Sequence, residues 1–186
     1  MQVNRIYFKG NPWPEGHPVK KFKWSAREKE NDVWFDLHLE SEDYYLERDF
    51  DDDDDVEYLS DWVAPIVWAN YHSCTLSSTH WGNRGFKVCS SQQYSPEFLD
   101  GLEVEVDANP ETIEDFDDFS FHIYLLGHDS AAKHKIRFER IGASLDFKII
   151  WSGKIAQAYV GDYEYKHDFS VTLGRVEMPT IQKETS

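Results

Sequence analysis

In the C-terminal half of the chain, apolar and polar side chains alternate with a period of two. In "DFSFHIYLLGH", Phe119, Phe121, Ile123 and Leu125 alternate with Ser120, His122 and Tyr124. "KHKIRFER" sets Lys133, Lys135, Arg137 and Glu139 against Ile136 and Phe138, and "SLDFKIIW" groups Leu145, Phe147, Ile149 and Trp151. Successive side chains of a strand point to opposite faces, so this rhythm describes sheets with one buried face. Ser152-Gly153 reads as a turn into "KIAQAYV", and Gly161-Asp162 as a two-residue hairpin before "YEYKHDFSVTLGRV". The half therefore reads as a meander of five antiparallel strands.

The first half carries the same signal less cleanly. "QVNRIYFK", "PVKKFKWSA", "DVWFDLHLE", "APIVWANYHSCTLSS", "GFKVCSS" and "GLEVEVDA" are strand candidates. Helical turns are expected at "SPEFLDG", with Ser95 as N-cap and Pro96 at the first helical position, and at "NPETIEDF", with Asn109 and Pro110. A further short helix fits between Asp53 and Trp62. Aromatic residues make up 16% of the 186 residues, a load suited to pleated, half-buried surfaces. The expectation is an all-β, mainly antiparallel fold with one to three short helical turns. A two-sheet β-sandwich of jelly-roll type is preferred over a barrel, because the long strands alternate cleanly and one face must stay wet. No linker or fixed-period repeat divides the chain, so residues 1–186 read as one β-rich domain. It carries an acidic loop at 49–61 and an acidic segment at 97–118.

Charge narrows the choice of partners. The net charge is −16. From Asp36 to Asp61 there are thirteen acidic residues against Arg48, and from Glu97 to Asp118 ten against no Lys or Arg. The remainder is mildly basic. Phosphate backbones and anionic membranes need clustered Lys and Arg, so nucleic acid and membrane are not expected partners, whereas a basic protein is. The first residues, "MQVNRIYFKGNPWPEGH", lack the apolar core of a secretory signal. Cys74 and Cys89 are accordingly read as reduced thiols of a cytoplasmic protein.

Four constellations could carry chemistry. The run Asp51, Asp52, Asp53, Asp54 and Asp55, with Asp49, Glu57 and Asp61 around it, is a solvated loop or a docking surface for a basic partner. As a calcium site, Asp51, Asp53 and Asp55 would be ligands, but Val56 stands where an EF-hand needs Gly and Trp62 where it needs Glu. Glu114, Asp115, Asp117 and Asp118 form the second candidate docking surface.

In "LEVEVDAN", alternation turns Glu103, Glu105 and Asp107 outward, about 6.5–7 Å apart, near the carboxylate spacing of glycosidases. The pattern resembles the Glu-x-Asp-x-Glu strand of jelly-roll β-glucanases, with Glu105 in the middle position and Asp107 last. His72, Cys74, His80 and Cys89 are a possible zinc set without the usual paired spacing. "GNRGF" reads as a turn, and Trp13, between Pro12 and Pro14, as part of a stiff surface loop.

There is no G-x-S-x-G, P-loop or dinucleotide fingerprint. The reading therefore leans away from an enzyme and implies no cofactor. It favours a non-enzymatic protein-recognition module for a basic partner, of the physical type of an inhibitor or immunity protein. The alternatives are a carbohydrate-binding or glycan-processing sandwich using exposed aromatics with Glu103, Glu105 and Asp107, and a calcium-dependent module at Asp51–Asp55.

Overall fold

The computed structural model describes residues 2–48 and 56–183. Eleven strands lie in one sheet system: β1 (Arg5–Phe8), β2 (His17–Lys29), β3 (Asp32–Ser41), β4 (Thr75–Ser77), β5 (Phe86–Ser90), β6 (Glu103–Val106), β7 (His122–Tyr124), β8 (His128–Arg140), β9 (Asp146–Ala156), β10 (His167–Glu177) and β11 (Ile181–Lys183). The all-β expectation holds, but the sandwich does not. β1 pairs with both β10 and β2, and β2 pairs along its length with β3. The ring β1-β2-β3-β4-β7-β8-β9-β10 thus closes into an eight-stranded barrel in which every neighbouring pair is antiparallel. Closure gives both edges of each ring strand a partner, which a sandwich leaves undone. The long strands bend through register breaks at Val19/Lys21 in β2, Ala132/Lys135 in β8 and Leu173/Val176 in β10, the irregularities that let a sheet curl. β5, β6 and β11 extend the edges of β3, β8 and β2.

The interior is packed with rings. Trp24 sits 5.1 Å from Phe138 and edge-on to Phe35, while Phe121 and Phe169 flank Trp151. The predicted inward set Phe119, Phe121, Ile123 and Leu125 is buried, as are Phe147, Ile149 and Trp151; Leu145 is exposed in the β8–β9 turn. Ser152-Gly153 makes no turn: both lie within β9, where Gly153 leaves room for Phe169. A Cβ there would stand 2.6 Å from that ring. The expected fifth strand around "KIAQAYV" is accordingly the end of β9 and a loop at 157–166.

The predicted strand at "APIVWANYHSCTLSS" is instead a helix, α1 (Pro65–Tyr71), followed by β4. Its β-branched and aromatic residues favour a strand by at most about 1 kcal/mol. Folding as a helix buries Trp68 completely, worth about 4–6 kcal/mol for 150–250 Å² of ring removed from water. Pro65 at the first helical position fits that choice. Trp68 donates to the Trp62 carbonyl (2.9 Å) and packs against Phe8, Trp13, Tyr44 and His17, so α1 plugs one end of the barrel. Trp13 belongs to this plug and is buried, not part of a surface loop. The turn near Trp62 is a 3₁₀ helix, Asp61–Val63. Ser95 caps α2 (Pro96–Leu99) as expected, accepting from the Phe98 N–H (3.1 Å). Among the described residues, no helix is long and apolar enough to cross a membrane.

Candidate functional site

Because neighbouring ring strands run antiparallel, the loops 9–16, 42–74, 125–127 and 157–166 all emerge at the plugged end. The 157–166 loop is the hub of a surface there. The Asp129 carboxylate, buried in β8, accepts from the Leu126 N–H (3.0 Å) and the Tyr159 N–H (3.4 Å), and burial raises its pKa. Gly127, at φ +129°, lies flat beneath the Tyr159 ring; a Cβ would come within 2.5 Å of it. The Tyr165 hydroxyl meets Ser130 Oγ at 2.6 Å, and Asp162 pairs with Lys166 at 2.5 Å, which lowers the Asp162 pKa. The loop is thus tied down at several points while Tyr159, Val160 and Tyr163 stay exposed.

The acidic segment 97–118 reaches this loop, and the stretch that follows the first acidic segment packs on its other side. On one flank Phe119 packs toward Tyr165, and Glu111, Ile113, Glu114, Phe116, Tyr163 and Glu164 line a groove of about 570 Å³. On the other flank Trp62 stacks on His167 at 3.8 Å, and Tyr71 meets Tyr159 edge-on. Beyond Trp62 the chain exposes Val56, Glu57, Tyr58 and Leu59. Asp49 and Asp51–Asp55 lie outside the described residues, and with them the calcium reading of Asp51, Asp53 and Asp55.

The acidic residues of 97–118 differ in what answers them. Glu97 pairs with Arg140 (2.7 Å) and Glu105 with Lys135 (3.0 Å), while Glu103 stands across from Arg137 in the β6–β8 register. Asp107 leaves the strand at φ +50°; its carboxylate accepts from the Ser120 N–H (3.0 Å) and the Phe121 N–H (3.2 Å). Burial raises its pKa against the pull of those amides. Only Glu103 and Glu105 therefore share the outward face predicted for three carboxylates, and both stand opposite cations. Glu111, Glu114, Asp115, Asp117 and Asp118 are all exposed, and none makes an ion pair among the described residues. Asp115 caps the 3₁₀ turn Phe116–Asp118 through the Asp117 N–H (3.1 Å).

The zinc set is dispersed. The Ser41 N–H bonds the Cys74 carbonyl, whereas Cys89 faces Val33, eight residues away along β3 and about 26 Å distant. Both cysteines are free thiols, and burial pushes both pKa values up. His72 is held by the Tyr45 hydroxyl (2.8 Å). No three His, Cys, Asp or Glu residues among those described gather as a metal site.

One chain of groups passed unnoticed in the sequence. Ser77 Oγ meets His38 Nδ1 (3.0 Å), and His38 Nε2 meets Glu40 Oε1 (2.7 Å). Ser77 is fully buried, and its oxygen already accepts from the Thr79 and His80 N–H groups, so this string fixes a turn and presents no reactive hydroxyl. Lys21, and after it His38, hold the Glu40 carboxyl at a pKa of about 2.

Compared with protein-family models, curated proteins and solved structures, the chain matches none.

Proposed function

We propose that the chain is a non-enzymatic recognition module whose acidic, aromatic barrel end binds a basic protein. The observation that carries this reading is the surface around the 157–166 loop. Glu111 and Glu114 line the groove there with Phe116 and Tyr163, and Lys133 is the one cation in its lining; neither they nor the exposed Asp115, Asp117 and Asp118 that follow make an ion pair among the described residues. On the neighbouring strand β6, by contrast, Glu105 pairs with Lys135 and Glu103 stands across from Arg137. Rigid aromatic anchors within a charged rim supply, respectively, the desolvated contact and the steering of a protein interface. A basic partner would gain association rate from the field, and that gain is screened beyond about 8 Å at physiological salt.

The test is affinity capture with wild type beside a variant carrying Glu111→Gln, Glu114→Gln and Asp115→Asn. Calorimetry with the purified captured partner follows. A basic protein that binds wild type, releases with salt and is lost to the variant supports the reading. Capture that is indifferent to these three changes refutes it.

A further inference from the structure

Asp117 and Asp118, at the end of the acidic segment, also border a second cleft, of about 570 Å³, within the range of small-molecule sites. One wall is the outer face of β2 and β3, where Arg27 stands across from Trp34 and the Arg27 and Lys29 cations each lie 5.7 Å from the Trp34 ring centre. The floor is the 79–85 loop carrying Trp81, Asn83 and Arg84. Gly85, at φ +66°, presses this loop onto β3: a Cβ would fall 2.3 Å from the Phe35 carbonyl oxygen, a contact only glycine avoids. Asp117 and Asp118 form the opposite wall.

Three features distinguish this cleft from ordinary surface. Five of the seven tryptophans are buried, and the two that are not, Trp34 and Trp81, both line it. Lys29 and Arg84 make no ion pair among the described residues of a strongly acidic chain. Asn83 donates Nδ2 to the Phe119 carbonyl (3.0 Å), and its buried Oδ1 has no donor.

We propose that this cleft binds a nucleoside monophosphate. Lys29 and Arg84 match the phosphate, since ammonium and guanidinium groups bind phosphate oxygens in charge-assisted hydrogen bonds, while Arg27 is held to Asp36 (3.2 Å) beside Trp34. The two indoles offer faces for a flat heterocycle, the arrangement that holds unstacked bases. Asn83 Oδ1 and the Asp117 and Asp118 carboxylates accept from exocyclic amino or ribose hydroxyl groups. A free sugar would leave Lys29 and Arg84 unanswered, and a simple anion would leave the rings unused.

The experiment is isothermal titration of the full chain with adenosine and cytidine monophosphate, beside adenosine and inorganic phosphate as half-ligands. Saturable one-to-one binding of a monophosphate, with each half-ligand much weaker, is expected. Arg84→Ala and Trp81→Ala should each weaken it about ten-fold or more, the cost of one charge-assisted hydrogen bond or one base–ring stack. Lys148→Ala, at an outward position of β9, should not. No saturable binding below about 5 mM, a free energy of only about −3 kcal/mol, overturns the proposal. So does inorganic phosphate binding as tightly as the monophosphates, which marks a plain anion site, or an affinity that both variants leave unchanged. Trp81 and Arg84 do not line the acidic groove, so failure here leaves the basic-partner reading to its own test.

Discussion

His17 and His134 enter the folded barrel as neutral rings. His134 is fully buried among Phe121, Trp151 and Phe169, and accepts from Trp151 Nε1 at Nδ1 (3.2 Å). Desolvation lowers its pKa to about 3, only partly offset by the Ala131 carbonyl. His17, stacked on Trp68, falls to about 4, chiefly by burial and then by the nearby Arg5, with Glu47 pulling the other way. In the unfolded chain both return to about 6.5, so stability is full above that value and is lost as the pH falls toward 4. Between pH 7 and pH 5 the unfolded state takes up protons that the fold refuses, costing about 2 kcal/mol per ring and about 4 kcal/mol together. Asp107 and Asp129, whose pKa values burial raises, act in the opposite direction at the acid end of this window. A comparison with His134→Leu removes that background. Urea unfolding followed by tryptophan fluorescence at pH 7, 6 and 5 should show the variant losing about 2 kcal/mol less than wild type, whatever its stability at pH 7. Equal losses in the two proteins would refute the assignment of a neutral, desolvated His134.

Three other outcomes follow from the same contacts. Trp68→Ala should destabilise by about 3–5 kcal/mol in denaturant unfolding, because it empties the plug beneath Trp13, Tyr44 and Trp62. Asp107→Asn should cost about 1–3 kcal/mol by the same measurement, since the amide nitrogen would stand donor to donor against the Ser120 N–H that Oδ1 now accepts (3.1 Å), and its neutral oxygen is the weaker acceptor for the Phe121 N–H. Neutralising Glu111, Glu114 and Asp115 should slow association with the basic partner about ten-fold at low salt in stopped-flow mixing and leave dissociation little changed, as rim charges do.

Periodicity made the barrel's walls legible and left its closure hidden. The alternation of Phe119 to Leu125 and of Phe147 to Trp151 describes a buried face equally well in a sandwich and in a barrel. The difference lies in β1 taking both β10 and β2 as partners, a pairing between distant segments that no local pattern records. Ser152-Gly153 reads as a turn by composition, yet in β9 the glycine answers to the Phe169 ring across the strand pair. At α1, the burial of one indole outweighed the strand preference of its neighbours. The acidic segment 97–118 was visible as charge, but its division into matched and unmatched carboxylates depends on β6 lying beside Lys135 and Arg137. The cleft at Trp34 and Trp81 left a fainter trace: "GNRGF" reads as a turn, yet β4 and β5 both run antiparallel to β3, so it is a bulging loop that does not reverse the chain, set by where Gly85 lays it on β3.

The claim that the 157–166 end is the docking face is tested most directly by photo-crosslinking. A photoreactive residue is placed at Tyr163, 74% exposed in that loop, or at Leu145, 51% exposed in the β8–β9 turn at the other end of the barrel. The account predicts one basic protein crosslinked from position 163 and none from position 145. Equal crosslinking from both positions, or crosslinking from 145 alone, would contradict it.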